Sequence, residues 1–218
     1  LSERIDLERL YRYYDAFGFG HATAVQFLGE QDGYLPDPQR ADSVTQKTQT
    51  FGQGVSATTA QMAGAYQAIA NGGVKLPLHL VAGCRSADGV VQEVAHTEGT
   101  RVISERAANE TIRILESVPV SGTLQNRVDV PGYRVAAKTG TAEIAEDGEY
   151  GDERMISIAG MVPAEDPQYV VVVAYVKPQS NRFSYAAAPA FDAIVTQVVK
   201  NYRVPPSTTA ATLPPLTW

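Results

Sequence analysis

Gly132-Tyr133-Arg134-Val135-Ala136-Ala137-Lys138-Thr139-Gly140-Thr141-Ala142 admits two readings, and they lead to different folds. As G-x-x-x-x-G-K-[ST] it is a near match to a phosphate-binding loop. Ala137 stands where that loop needs its second glycine, and a Cβ there obstructs the close wrap around a phosphate. Such a loop must also open a helix, whereas the residues after Thr141 are acidic and rich in turn formers. As a strand over 130–141, the stretch puts Lys138 and Thr139 on opposite faces. Both then reach one ligand only if it lies along the strand edge, pairing as an added strand, and Gly140 leaves room for that approach. The triplet alone is also compatible with an exposed hairpin strand that ends in Lys-Thr-Gly by chance.

Working outward, 155–162 and 168–177 read as two more strands, joined antiparallel by the turn Pro163-Ala164-Glu165-Asp166-Pro167. Tyr169 to Val176 is apolar on both faces, which predicts a central strand covered on both sides. A helix is expected from about Ala187 to Tyr202, ended by Pro205-Pro206, with Ser207 to Trp218 as a Thr/Pro-rich tail. Upstream, Ile5, Leu7, Leu10, Tyr14 and Phe17 recur at helical spacing and Gly18 stops them. Residues 30–50 read as irregular loop. Thr58 or Thr59 caps a helix with Met62, Ala65, Tyr66 and Ile69 inward, ended by Asn71-Gly72-Gly73. Residues 76–83 and 90–95 suggest a hairpin turning at Asp88-Gly89. Ser104 caps a helix to about Ser117, with Ile112 and Leu115 inward.

The bulk numbers set limits. With 218 residues, 44% apolar and 19% charged, the chain can bury a core. A net charge of -6 argues against a nucleic-acid partner or a surface for anionic lipid. Cys84 is the one cysteine, so no internal disulfide forms and no metal site is expected. The acidic stretch 146–153 lacks the D-x-[DN]-x-[DN]-G calcium pattern and reads as a solvated hairpin loop. The longest apolar run, Tyr169 to Val176, is far short of the roughly 20 residues of a membrane helix. There is neither an initiator Met nor a signal peptide at Leu1, so the chain is expected to be a piece of a longer protein.

Several stretches in one order carry a resemblance. They are Tyr14-Asp15-Ala16-Phe17-Gly18-Phe19-Gly20-His21-Ala22-Thr23 with Gly29-Glu30, then Phe51-Gly52-Gln53-Gly54-Val55-Ser56-Ala57-Thr58 with Gln61-Met62-Ala63, then Ala70-Asn71-Gly72-Gly73. Pro131-Gly132-Tyr133 precedes Lys138-Thr139-Gly140, and Gly160-Met161-Val162-Pro163 and Ala187-Ala188-Pro189-Ala190-Phe191 come after it. K-T-G is shared by β-lactamases and penicillin-binding proteins, and from about residue 10 to 203 the chain resembles the C-terminal half of the transpeptidase domain of division-type class B penicillin-binding proteins.

The resemblance implies an α+β, serine β-lactamase-like fold, an antiparallel sheet packed with helices, with three of the family's five strands present. Residues 1–203 would be part of that domain and 204–218 a tail. It implies a peptidoglycan cross-linking serine D,D-transpeptidase acting on D-Ala-D-Ala stem peptides, blocked by β-lactams and needing no cofactor. Lys138 and Thr141 would take part in catalysis; Thr139, Gly140, Thr141 and Tyr150 would bind substrate. Implied partners are the missing N-terminal half of the domain and division or elongation membrane proteins, on the extracytoplasmic face of a membrane held by an upstream anchor.

The chain departs from the family at the nucleophile. None of its serines has Lys three residues later, so S-x-x-K is absent, and S-x-N is absent too. Ser86-Ala87-Asp88 has a related shape but reads as turn chemistry. In the family both missing motifs lie upstream of the first helix here, so this piece alone is expected to be inactive and short of packing partners. Gly52 and Gly54 do not continue into G-x-G-x-x-G, since Ala57 stands at the third position. A Ser-His-Asp hydrolase lacks its G-x-S-x-G, and His21, His79 and His96 sit near turns. A penicillin-sensing or scaffold domain of the same fold stays open, as does nucleotide binding.

Overall fold

The computed structural model describes residues 5–23, 25, 28–39, 43–94, 98–146 and 149–214, without the side chains of 145, 146, 149 and 150. The chain divides into two compact units, one of residues 1–68 with 74–102 and one of 69–73 with 103–218.

In the first unit, α1 (Leu7–Phe17) starts on Asp6, whose carboxylate accepts from the Arg9 N–H, and ends on Gly18 at φ 90°. That left-handed cap is open to glycine at no Cβ cost. None of its residues is fully buried. The expected loop at 30–50 is corrected at its end: Ser43–Thr48 is α2, and Gln49–Phe51 is a 3-10 turn. No apolar stripe marks this segment. It is set by a tertiary contact, the Tyr14 hydroxyl donating to the Gln49 carbonyl at 2.5 Å. α3 (Thr59–Ala70) opens with a reciprocal cap: Thr58 Oγ1 accepts from Gln61 N–H, and Gln61 Oε1 from Thr58 N–H. Gln61 is buried, and its Nε2 donates to the carbonyls of His21 (2.7 Å) and Asp32 (2.8 Å).

The hairpin expected over 76–95 is shorter. β1 (Val74–Lys75) pairs with β4 (Thr100–Arg101), and β2 (Gly83–Arg85) with β3 (Val91–Glu93). Pro77 offers no N–H to a ladder, and the hairpin bonds begin only at Ala82, whose carbonyl accepts from Val94 N–H at 3.0 Å. The turn is as expected: Ser86 hydrogen-bonds Asp88 and the Val90 carbonyl, and the Ser86 hydroxyl draws the Asp88 carboxyl below its usual range.

The second unit holds the main sheet. α4 (Glu105–Ser121) is capped by Ser104 Oγ, which accepts from Ala107 N–H. It runs through Pro119, past the expected stop at Ser117; the Ser117 and Ser121 hydroxyls bond to the carbonyls of Ile114 and Ser117 in the last turn. Residues 130–135 are not strand. Pro131-Gly132 makes a turn with Gly132 at φ 84°, closed by Tyr133 N–H to Val130 O at 2.9 Å.

The strand then runs as β5 (Ala136–Glu146), through and beyond Thr141, and pairs antiparallel with β6 (Glu149–Val162). The expected acidic loop is therefore largely strand; Asp147 and Gly148 lie outside the described residues. β7 (Tyr169–Val176) pairs with β6 as predicted, giving the order β5-β6-β7.

Among the described residues β7 is an edge rather than the centre. Val171 and Val173 are buried toward α5 (Ala188–Asn201), while Val170 and Val172 lie on the opposite face beside the buried Met161 and Ala159 and are half-buried at the sheet edge. The core joins the sheet to α5 through Ile158, Val162, Phe191, Val195 and Val199. Phe191 sits so close that a Cβ on Gly160 would lie 2.8 Å from its ring. Among the described residues no helix is long and apolar enough to cross a membrane.

Candidate active site

Lys138, Thr139, Gly140 and Thr141 lie in the middle of β5, opposite Ala159, Ile158, Ser157 and Ile156. β5 has β6 on one side and a free edge on the other among the described residues. Cross-strand partners share a face. Thr139 and Thr141 therefore stand with Ala137, and Lys138 and Gly140 with Ala136. The edge brings the two sets together. Lys138 Nζ curls back to donate to Thr139 O (3.0 Å) and Thr139 Oγ1 (3.4 Å). Thr123, just past α4, adds a third group, its Oγ1 3.4 Å from Thr139 Oγ1.

An ammonium and two hydroxyls thus converge at an exposed sheet edge, an arrangement suited to a carboxylate. Thr123 was not legible as a site residue, since it lies 16 positions from Thr139 and no motif includes it. Tyr150 pairs with Ala145 across the β5–β6 hairpin, beyond a register shift after Glu143; its side chain lies outside the described residues.

The close neighbour of Gly140 is internal. A Cβ there would meet Ser157 Oγ at 2.6 Å. Gly140→Ala should therefore cost about 1–2 kcal/mol by crowding, and Ser157→Ala in the same chain should recover it, as read by thermal unfolding. Failure of the second substitution to recover stability would show that the crowding is elsewhere.

The rival readings fare differently. Ala137–Thr139 form a strand and do not lead into a helix, which removes the phosphate loop. His21 Nε2 lies 2.9 Å from Asp15 on an exposed turn, and His96 lies outside the described residues. No group of three or more metal-ligating side chains assembles among the described residues.

A cluster the sequence did not reveal stands at the start of β5. Arg134 makes a two-pronged pair with Glu116 of α4, Nε to Oε1 at 2.5 Å and Nη2 to Oε2 at 2.7 Å. Glu165, in the β6–β7 turn, lies 3.9 Å from the same Nε. The hydrogen bonds it donates to Glu116 raise the Arg134 guanidinium pKa further. The available signal was Glu116 itself, one helical turn on from Ile112 and beside Leu115 on the inward side of α4, where a charge needs a cation.

Residues 1–196 match the model of the penicillin-binding protein transpeptidase domain. Penicillin-binding protein PbpB of Mycolicibacterium smegmatis is 34% identical over all of this chain and 35% of its own length. The peptidoglycan D,D-transpeptidase FtsI of Escherichia coli K12 is 32% identical over 88% of this chain and 32% of its own. Penicillin-binding protein 3 of Mycobacterium tuberculosis, solved with ampicillin, superposes with a TM-score of 0.87 at 32% identity, over 97% of this chain and 49% of that one. The chain thus spans about a third of the length of the curated relatives it matches.

Proposed function

This chain belongs to the penicillin-binding protein transpeptidase family, and from that premise we propose that it supplies the substrate-anchoring half of a serine D,D-transpeptidase. The observation that carries the reading is the convergence of Lys138 Nζ, Thr139 Oγ1 and Thr123 Oγ1 at the open edge of β5.

A stem peptide ending in D-Ala-D-Ala lies along that edge as an added strand. The hydroxyls of Thr139 and Thr141 take its terminal carboxylate. Lys138 adds positive charge beside the carboxylate and the proton-transfer groups. The Thr141 N–H faces the oxyanion that develops at the scissile carbonyl, Gly140 lets the peptide backbone approach, and Tyr150 stands at the mouth.

The nucleophile comes from chain outside these 218 residues, because no serine here is followed three positions later by Lys. The length of the relatives and the absence of any fully buried residue in α1 support that placement. That serine attacks the penultimate D-Ala carbonyl, D-alanine leaves, and an amine of a second stem peptide takes the acyl group. Two acyl transfers balance without metal or organic cofactor. β-Lactams enter as donor mimics that stay on the serine. The site works on the extracytoplasmic face of a membrane, with an anchor and division or elongation partners beyond this segment. A penicillin-sensing domain would bind the same ligands without turnover.

A labelled penicillin should acylate the complete polypeptide and leave the 218-residue chain unlabelled. Covalent labelling of the short chain would place the nucleophile inside it and overturn this reading. D-alanine release from a stem peptide in the presence of an amine acceptor separates an enzyme from a sensor.

A further inference from the structure

The residues after α5 do not trail off. They cross back over the segment that leads into β5. Tyr133 hydroxyl donates to Val204 O (2.6 Å), Ser207 N–H to Gly132 O (2.9 Å), and Arg134 N–H to Ser207 Oγ (2.9 Å). Arg134 Nη1 reaches Thr209 Oγ1 at 3.1 Å, and Arg113 of α4 donates through Nε to Thr212 O at 3.3 Å.

Pro205-Pro206 fixes φ at two consecutive positions and removes two donors, so the strap enters stiffly and without backbone N–H groups to satisfy. Arg134 lies four residues before Lys138. It is bound on one side by the strap and on the other by Glu116, while its carbonyl accepts from Ala164 N–H at 2.8 Å. α4 thus grips the start of β5 through Glu116, and Thr123 just beyond it reaches the middle.

We propose that residues 205–212 are a positioning strap: by holding Gly132–Arg134 through Ser207 and Thr209, they fix where the Lys138–Thr141 edge stands, and Ser207 and Thr209 act on the reaction through Arg134 rather than by touching substrate. The inference rests on the function proposed above. It separates from a purely structural role because Ser207 is half-exposed and Thr209 exposed, and Arg134 binds Glu116 through Nε and Nη2 rather than the Nη1 that reaches Thr209. A loosened edge costs rate even where the fold survives, since a misplacement of about 1 Å at such a site can cost about a hundredfold.

The test uses the complete polypeptide and the second-order rate of acylation by a labelled penicillin, at a temperature well below the thermal midpoint. Ser207→Ala with Thr209→Ala is expected to slow acylation about tenfold, and Ser207→Thr with Thr209→Ser to restore it to within twofold. A chain ending at Pro206 should lose at least as much as the double alanine variant. Unchanged acylation in the double alanine variant, with wild-type labelling intact, overturns the strap and leaves the proposed function standing. A loss that appears only near the melting transition overturns it too, since the tail then contributes stability alone. A wild-type polypeptide that is never labelled overturns the proposed function and the strap with it.

Discussion

Arg134→Ala should destabilise the second unit by about 3–5 kcal/mol, a large part of the stability of an ordinary domain. The magnitude comes from the group left behind. The Glu116 side chain is 2% exposed, and Arg134 provides both of its close hydrogen bonds. Without the guanidinium a carboxylate stays in the interior with no cation beside it. The distance to Glu165, 3.9 Å, is long, and losing that contact adds little. Replacing both members, Glu116→Leu with Arg134→Met, removes the charge and the need for it, and should return most of the loss because a buried ion pair is often no better than apolar residues of similar volume. Arg134→Lys should fall between, since an ammonium cannot make the two-pronged contact. Urea unfolding of the wild type and the three variants checks the order. A single Arg134→Ala variant as stable as wild type, or a double variant as unstable as the single one, would contradict it.

The same pair marks the limit of what the sequence could tell. Elements that announce themselves locally were legible. Gly18 ends α1, Thr58 and Ser104 start their helices, and the Pro163–Pro167 turn sets β6 against β7. The K-T-G strand was legible as strand and as edge, because alternation across the pleat forces Lys138 and Thr139 apart unless the edge is used.

What failed were features decided by contacts between distant segments. Gln49 lies in a helical turn because Tyr14, 35 positions away, donates to its carbonyl. Pro131-Gly132 reads as the start of a strand until the tail is seen to dock on it through Ser207. The tail itself has a disordered composition, yet its carbonyls and hydroxyls meet donors at 113, 133 and 134, and its Ser207 N–H meets the carbonyl at 132. Apolar periodicity does not encode such pairings. The apolar character of β7 was read as that of a central strand covered on both sides, whereas among the described residues it is the edge of a three-stranded sheet, with Val170 and Val172 half-buried there.

Lys138→Met in the complete polypeptide should slow acylation by a β-lactam about 10²–10³-fold, with the thermal midpoint nearly unchanged. The two halves of that expectation have separate causes. Lys138 is exposed, and among the described residues its Nζ bonds only within its own strand, to Thr139 O and Thr139 Oγ1. Removing a group with no buried contact is close to neutral for folding. For the reaction the same group matters twice. On the proposed reading it brings a positive charge to the edge that takes the carboxylate, and its Nζ donates to Thr139 O and Oγ1 at the same edge. Thr139→Val tests the second role apart from the first. It removes the hydroxyl, keeps the branched shape, and should cost part of the Lys138→Met effect. Lys138→Arg keeps the charge but exchanges a compact ammonium for a planar fork, and should recover a fraction of the rate. If charge is the larger contribution, wild-type acylation weakens as salt rises and the Lys138→Met variant loses that dependence. Acylation of Lys138→Met within about threefold of wild type would mean that the substrate carboxylate is held elsewhere, and the edge of β5 would then lose its claim to be the anchoring site.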